Sequence, residues 1–217
     1  YYKNQLLLGK STNSNIYDTI YFVRSDISEV EIPNTIKYIA PGTFQLFSRN
    51  PFQIIFDSNS KFESFEGFLF AFSNITEIIV PDSVKVIDKS AFAKSYLSKI
   101  EFSNNSQLCL IDDEAFRDTL IESIIIPKNV KKIGKYCFRD CSELTSVIFT
   151  EDSELISFGD CAFDYSKIQE FHIPKKLNEI EEDFFIHVYD LVKIKNEFNN
   201  PNFKILNDNL LLGKSDK

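Results

Sequence analysis

Three groups of residues carry side chains that could do chemistry. The hexapeptide Leu6-Leu7-Leu8-Gly9-Lys10-Ser11 recurs as Leu210-Leu211-Leu212-Gly213-Lys214-Ser215. Gly-Lys-Ser ends the loops that cradle nucleotide phosphates. Such a loop needs another glycine five residues before its last one, so that backbone N–H groups can close on the phosphate. Asn4 and Asp208 stand at those places, and an aspartate repels phosphate. Cys137 and Cys141, four apart, invite a metal reading. Zinc asks for four ligands in known spacings, and only His172 and His187 could join them. Buried structural thiols are the expectation. The run Glu181-Glu182-Asp183 lacks a neighbouring histidine and reads as solvated charge at an element start, where it suits a helix dipole. No Gly-x-Ser-x-Gly elbow is present. No catalytic, cofactor-binding or metal residue is assigned, no cofactor is expected, and the chain reads as a non-enzyme.

Composition bounds the partners. The 217 residues are 43% hydrophobic, with 22 Phe and neither Met nor Trp. A formal net charge of -8 and a pI near 4.9 argue against nucleic acid or an anionic membrane as the main partner. No apolar run reaches the roughly 18 residues of a membrane span, so direct membrane insertion by this segment is not expected. The opening Tyr1-Tyr2-Lys3-Asn4 carries neither an initiator Met nor a signal peptide, and the chain reads as a segment of a longer protein. Cys109, Cys137, Cys141 and Cys161 are too few and irregular for a disulfide framework. Asn74-Ile75-Thr76 and Asn104-Asn105-Ser106 are glycosylation sequons of the kind expected by chance here.

The elements that must position any site come from a repeat. An apolar residue precedes a Phe by five positions seven times: Ile39/Phe44, Phe65/Phe70, Ile87/Phe92, Ile111/Phe116, Ile133/Phe138, Phe158/Phe163 and Ile180/Phe185. The Phe spacings are 26, 22, 24, 22, 25 and 22, so short units alternate with longer ones. Short units carry Ile32-Pro33, Val80-Pro81, Ile126-Pro127 and Ile173-Pro174. Long units replace Pro with polar loops at 57–60, 103–106 and 150–153. Runs such as Ile78-Ile79-Val80 are short strands that cannot stand alone and must stack into a parallel sheet. Proline ends each strand by fixing φ and removing a donor. Segments such as Asp112–Asp118 read as one or two helical turns on the opposite face. Small residues at Ala91, Ala115, Cys137 and Ala162 let that turn approach its neighbour. Phe then fills the space between coils. Ser73, Ser95, Thr119, Cys141 and Ser166, three positions after Phe, are expected to satisfy a backbone group at the bend.

A period of 20–29 residues with one strand per unit is the leucine-rich-repeat regime. The run Ile124-Ile125-Ile126-Pro127 through Val130, Ile133-Gly134, Phe138 and Cys141 closely resembles the BspA-like, or treponemal-type, leucine-rich repeats. The resemblance covers about residues 27–188, and Asn200-Pro201-Asn202-Phe203 resembles the island between repeat blocks of that family. It implies an α/β repeat fold: a right-handed solenoid with a parallel sheet on the concave face and short helical or 3-10 turns on the convex face. The family comprises large surface proteins of mucosal bacteria and parasitic protists, regarded as adhesins. The resemblance therefore implies a cell-surface or secreted location as part of a longer protein, and a host or cell-surface protein as partner. Three regions are expected: a hairpin cap or inter-block island over 1–26, a block of about seven units over 27–198, and the start of another inter-block hairpin over 199–217.

Strand residues alternate faces, which sets the candidate protein-binding face. Its outward pairs are Gln53/Ile55, Glu77/Ile79, Lys99/Glu101, Ser123/Ile125, Ser146/Ile148 and Glu170/His172, flanked by Glu29/Glu31 and Lys193/Lys195. One column holds Ile55, Ile79, Ile125 and Ile148, interrupted by Glu101. An aliphatic stripe on a solvent face marks a protein contact, or reflects only the preference of β-branched residues for strands, or local cover. Two functions follow: a non-enzymatic protein-binding module of an adhesin, or a rigid spacer displaying other domains. The duplicated hexapeptide marks a second, longer period of one repeat block plus one hairpin. Its first copy is expected to pair with Thr19–Val23 across the polar loop Ser11–Asn15. The second copy, without an equivalent partner, is expected to be frayed or paired non-natively.

Overall fold

A computed structural model describes all residues except 1, 2, 4, 48, 49, 181, 182, 207–209 and 214–217; for 206 and 210–213 it describes the backbone alone. Among the described residues the chain forms strands and turns and no helix. The strands coil into a parallel β-solenoid of about eight turns. Each coil contributes one long and one short strand, which form two separate ladders.

The broad ladder carries β3 (Glu29–Ile32), β5 (Phe52–Phe56), β7 (Ile75–Val80), β9 (Lys99–Phe102), β11 (Ser123–Ile125), β13 (Ser146–Ile148), β15 (Glu170–His172) and β17 (Lys193–Lys195). Hydrogen bonding groups these as β3-β5-β7-β9, β11-β13 and β15-β17. The narrow ladder carries the two-residue strands β4 (Tyr38–Ile39), β6 (Ser64–Phe65), β8 (Val86–Ile87), β10 (Leu110–Ile111), β12 (Lys132–Ile133), β14 (Ser157–Phe158) and β16 (Glu179–Ile180). The six from β6 to β16 form one parallel sheet. At the chain ends lie β1 (Leu6–Gly9), β2 (Thr19–Val23), β18 (Phe203–Leu206) and β19 (Leu210–Gly213).

The bend between the ladders has two chemistries. In short units the proline carbonyl accepts the N–H of the residue three positions on: Ile36, Val84, Val130 and Leu177, all buried. Long units place a serine there instead. Ser106 and Ser153 are buried, and Ser60, Ser106 and Ser153 accept through Oγ the N–H groups of Phe62, Leu108 and Leu155. Those three residues then fill the core position that follows the proline in short units.

Between the ladders runs a spine of phenylalanines. Phe44, Phe70, Phe92, Phe116, Phe138 and Phe163 stack in series with centroid separations of 4.8, 5.1, 5.4, 5.3 and 5.5 Å. From Phe70 onward the interplanar angles are 8–11°. Ala91, Ala115, Cys137 and Ala162 beside it are wholly buried. The seventh unit breaks the series. Phe184, not Phe185, takes the buried place, and its ring meets Phe163 edge-on at 80°.

The expected helical turns on the far face are absent. Residues two before and two after each spine Phe lie at positive φ instead. Phe68, Ser90, Glu114, Tyr136 and Cys161 precede it, and Phe72, Lys94, Asp118, Asp140 and Tyr165 follow it, all between 50° and 62°. Consecutive turns replace a helix because neighbouring coils claim the N–H groups. Ser90, Phe92 and Lys94 donate to the carbonyls of Asp113, Ala115 and Arg117, and Glu114, Phe116 and Asp118 to those of Lys135, Cys137 and Arg139. A helix would point those donors along its own axis, and a segment this short does not repay helix nucleation. At the bend, Ser95 Oγ and Thr119 Oγ1 donate to Phe92 O and Phe116 O, and Cys141 Sγ also donates to Phe116 O. The hydroxyls of Ser73 and Ser166 are buried without such a partner among the described residues.

β1 and β2 form an antiparallel hairpin that closes the first coil, and β2 in turn pairs parallel with β4. The second hexapeptide is paired and not frayed, though with no equivalent of β2 among the described residues. β19 pairs in antiparallel register with β18 along its whole length, from Leu206↔Leu210 to Phe203↔Gly213. Its partner is the strand before it, whereas the first copy uses the strand after it.

Candidate functional site

The broad ladder sets the candidate face. Its register aligns Glu29, Gln53, Glu77 and Lys99 in one file, and Glu31 with Ile55 and Ile79 with Glu101 in the next. Ser123 faces Ser146, Ile125 faces Ile148, Glu170 faces Lys193 and His172 faces Lys195. Alternation buries Ile54, Ile78, Ile100, Ile124, Val147 and Phe171 between them. The stripe is solvent-facing: Ile55 is 44% exposed, Ile79 69%, Ile125 58% and Ile148 45%. Shallow grooves flank it, one between Ile55, Ile79 and the loop residues Ser58 and Asp82, another between Gln53, Glu77 and Glu101.

Polar groups on this face mostly bond one another. Gln53 donates to Glu77. Lys99 and Glu101 pair at 2.6 Å, and that hydrogen bond pushes the Lys99 pKa up. At the other end Glu170 binds Lys195 at 2.7 Å, which lowers the carboxyl and raises the ammonium pKa. His172 Nδ1 lies 3.0 Å from Glu197. Ser123, Ile125, Ser146 and Ile148 make an uncharged middle between these charged ends.

The residues first considered for chemistry are placed elsewhere. Ser11 binds an anion, and the anion is internal. Its N–H and Oγ donate to the Asp18 carboxylate at 2.7 and 2.6 Å. These bonds hold the Asp18 carboxyl at a pKa of about 2. The equivalent Ser215 lies outside the described residues, as do Glu181 and Glu182 of the acidic run. Cys137 and Cys141 are buried, and burial drives both thiols up, Cys141 to about 11. A thiol held protonated is a poor nucleophile. Among the described residues no cluster of His, Cys, Asp and Glu could hold a metal ion.

A cluster on the turn face was not anticipated from sequence. The Asp164 carboxylate, nearly buried, accepts from or pairs with His187 Nδ1 at 2.9 Å and Arg139 Nε at 3.3 Å. Arg139 lies over the rings of Tyr136 and Tyr165, and Tyr165 stacks on His187 at 4.6 Å. The only legible signal was a shared place in the repeat: Tyr165 and His187 both stand two after their column Phe. Cys161 lies near enough to Asp164 for its charge, after burial, to raise the thiol pKa. The arrangement links three coils.

Parallel coils of 22 to 26 residues fall in the period range of leucine-rich repeats. The BspA-type leucine-rich-repeat model matches residues 14–109 and 109–210 in six copies, and the chain belongs to that family. No curated protein matches the sequence. The fold is similar to that of a leucine-rich cell-surface protein from Faecalibacterium prausnitzii. That likeness has a TM-score of 0.70 at 18% identity and covers 91% of this chain and 54% of the other. It is also similar to the pneumococcal vaccine antigen PcpA, with a TM-score of 0.65 and 21% identity over 90% and 49% of the two chains. A leucine-rich-repeat protein of T. pallidum matches with a TM-score of 0.54 at 18% identity, over 88% and 79%. The chain thus spans about half the length of the first two. Among the described residues no helix is long and apolar enough to cross a membrane.

Proposed function

We propose that this chain is a non-enzymatic protein-binding module of a cell-surface adhesin, recognising host or cell-surface proteins through the broad sheet face. The observation that carries it is two solvent-facing isoleucine pairs on this face, Ile55 with Ile79 and Ile125 with Ile148, separated by Glu101. Strand preference by itself would also place isoleucines here; the grooves beside Ile55 and Ile79 favour a contact surface. The surface role of the leucine-rich protein from Faecalibacterium prausnitzii supports the reading by analogy of fold. In the test, the whole chain and its Ile79→Ser/Ile125→Ser/Ile148→Ser variant are immobilised and offered solubilised host-cell surface proteins. Specific capture by the wild type and its loss in a folded variant are expected. Equal capture by both removes the sheet face from the proposal.

A second reading, a rigid spacer that displays other domains, is favoured by the unbroken stack from Phe70 to Phe163 and the ladder from β6 to β16. It predicts that neither form captures anything.

A further inference from the structure

The outward residues of six consecutive coils carry a charge order that inverts about its own centre. On each of these strands a buried residue lies between two that face out, as Ile100, Ile124 and Val147 do. From β7 to β17 the first outward file reads Glu77, Lys99, Ser123, Ser146, Glu170, Lys193. The second reads Ile79, Glu101, Ile125, Ile148, His172, Lys195. Signs in the first file run negative, positive, neutral, neutral, negative, positive. Laid against its own reverse, every charge in that file meets its opposite and each serine meets the other. In the second file Ile125 then meets Ile148, and Glu101 meets His172.

A surface that packs on a copy of itself needs this order. A turn of 180° about an axis parallel to the strands, between β11 and β13, reverses the coils and keeps each file over itself. Glu77 then lies over Lys193, Lys99 over Glu170 and Ser123 over Ser146 of the second copy. Ile125 and Ile148, 58% and 45% exposed in the single chain, meet their counterparts at the axis. Neighbouring coils are about 4.8 Å apart, so the four isoleucines form one cluster removed from water. Slippage is opposed. A shift of one coil sets Glu77 over Glu170 in one direction and Lys99 over Lys193 in the other, each twice by symmetry. Ion pairs already on the face are extended. Lys99 holds Glu101 at 2.6 Å and Glu170 holds Lys195 at 2.7 Å, and the turn brings Glu170 to Lys99 as a second carboxylate. Lys193 is exposed and has no salt bridge among the described residues, and Glu77 supplies one.

We propose that the broad face pairs with itself, its occupant being a second copy of this chain in an isologous dimer centred on Ile125 and Ile148. The contact draws on the coils from β7 to β17 and on neither end of the chain. It takes the same face as the adhesin reading but does not depend on it. Two outward residues on each of six coils, against about 20–30 per side in a standard interface, make the dimer weak and readily reversed. Self-association then covers the isoleucines until a competing protein displaces the second copy.

The test reverses charges in the full chain. In sedimentation equilibrium up to about 1 mM, the wild type is expected to form a dimer whose fraction falls as salt rises. Lys99→Glu and Glu170→Lys each set like charges over one another twice, and each is expected to weaken the dimer about tenfold or more. Lys99→Glu/Glu170→Lys restores opposite pairs and should recover it. Glu77→Lys and Lys193→Glu form an independent set with the same expected pattern, and circular dichroism checks that every variant is folded. A wild type that stays monomeric over this range overturns the proposal. So does a dimer that the single reversals leave intact or that the double reversals fail to restore. Capture of host proteins is read separately: a dimer without capture removes only the host partner, and capture by a strict monomer removes only the dimer.

Discussion

The solenoid's two long faces obey different rules. On the broad sheet face the backbone is ordinary strand, side chains alternate in and out, and outward positions hold Ile, Glu, Lys, Ser, Gln and His. On the turn face nearly every coil passes twice through the left-handed region. Among the described residues none of the non-glycine positions at positive φ is Val, Ile or Thr. Branching at Cβ makes that conformation more costly still. The sheet face is free to vary in side chain because its backbone demands nothing special, which suits a surface that recognises partners. The turn face holds shape at the expense of freedom.

Three experiments test that contrast, and a fourth tests the hairpin that closes the first coil. The largest effect is expected at the spine that joins the faces. Phe116→Ala should cost about 3–5 kcal/mol, a Tm loss of about 6–20 °C, because its stacked neighbours cannot collapse onto the gap. Ile125→Ser on the sheet face should cost about 1 kcal/mol or less in the same thermal melt. Comparable losses would erase the distinction between spine and face.

The next effect belongs to Gly159. A Cβ there would lie 2.5 Å from Lys135 N and 2.8 Å from the carbonyl carbon of Gly134, both backbone atoms of the coil beside it. Gly159→Ala should cost about 1–3 kcal/mol by overpacking, whereas Ser123→Ala should stay within about 0.5 kcal/mol. A third comparison uses one substitution on both faces. Lys94→Val places a branched residue at a φ of 57° and should cost about 1–2 kcal/mol. Lys99→Val sits on a strand and should be nearly neutral or stabilising. Equal effects would show that left-handed strain does not restrict the turn face.

The smallest effect lies at the entry hairpin, outside both faces. The folded pKa of Asp18, at about 2, is below its ordinary value. Its contribution to stability is therefore full above about pH 4 and is lost as pH falls toward 2. Ser11→Ala should move the Asp18 titration upward, read by NMR of the carboxyl, and make the hairpin open at higher pH. An unmoved titration would show that Ser11 does not hold the carboxylate.

What sequence revealed and what it hid have the same origin. The spine Phe residues were legible because stacking repeats one side-chain choice from coil to coil, and the outward positions of Ile55, Ile79, Ile125 and Ile148 because strand residues alternate faces. The turns were not. Asp112-Asp113-Glu114-Ala115 has helical composition, and only the inter-coil claim on the N–H groups of Glu114, Phe116 and Asp118 excludes the helix. The Asp164–His187 contact was hidden because its residues are far apart in sequence and come together only across coils. The partner of the second hexapeptide was missed for another reason. Aligning the two copies sets Ile205-Leu206 against Tyr1-Tyr2, and that match conceals Ile205 as the next member of the column.

Bonds between coils run along the solenoid axis on both faces, from strand to strand and from turn to turn. Tension between the two ends therefore loads the coil interfaces in series, and the weakest gives way first while the rest hold. Each coil holds 22 to 26 residues, so each rupture releases about 75–90 Å of slack. Stretched between two anchored points, the molecule would lengthen stepwise, dissipating a pull one coil at a time and recoiling when the load is removed.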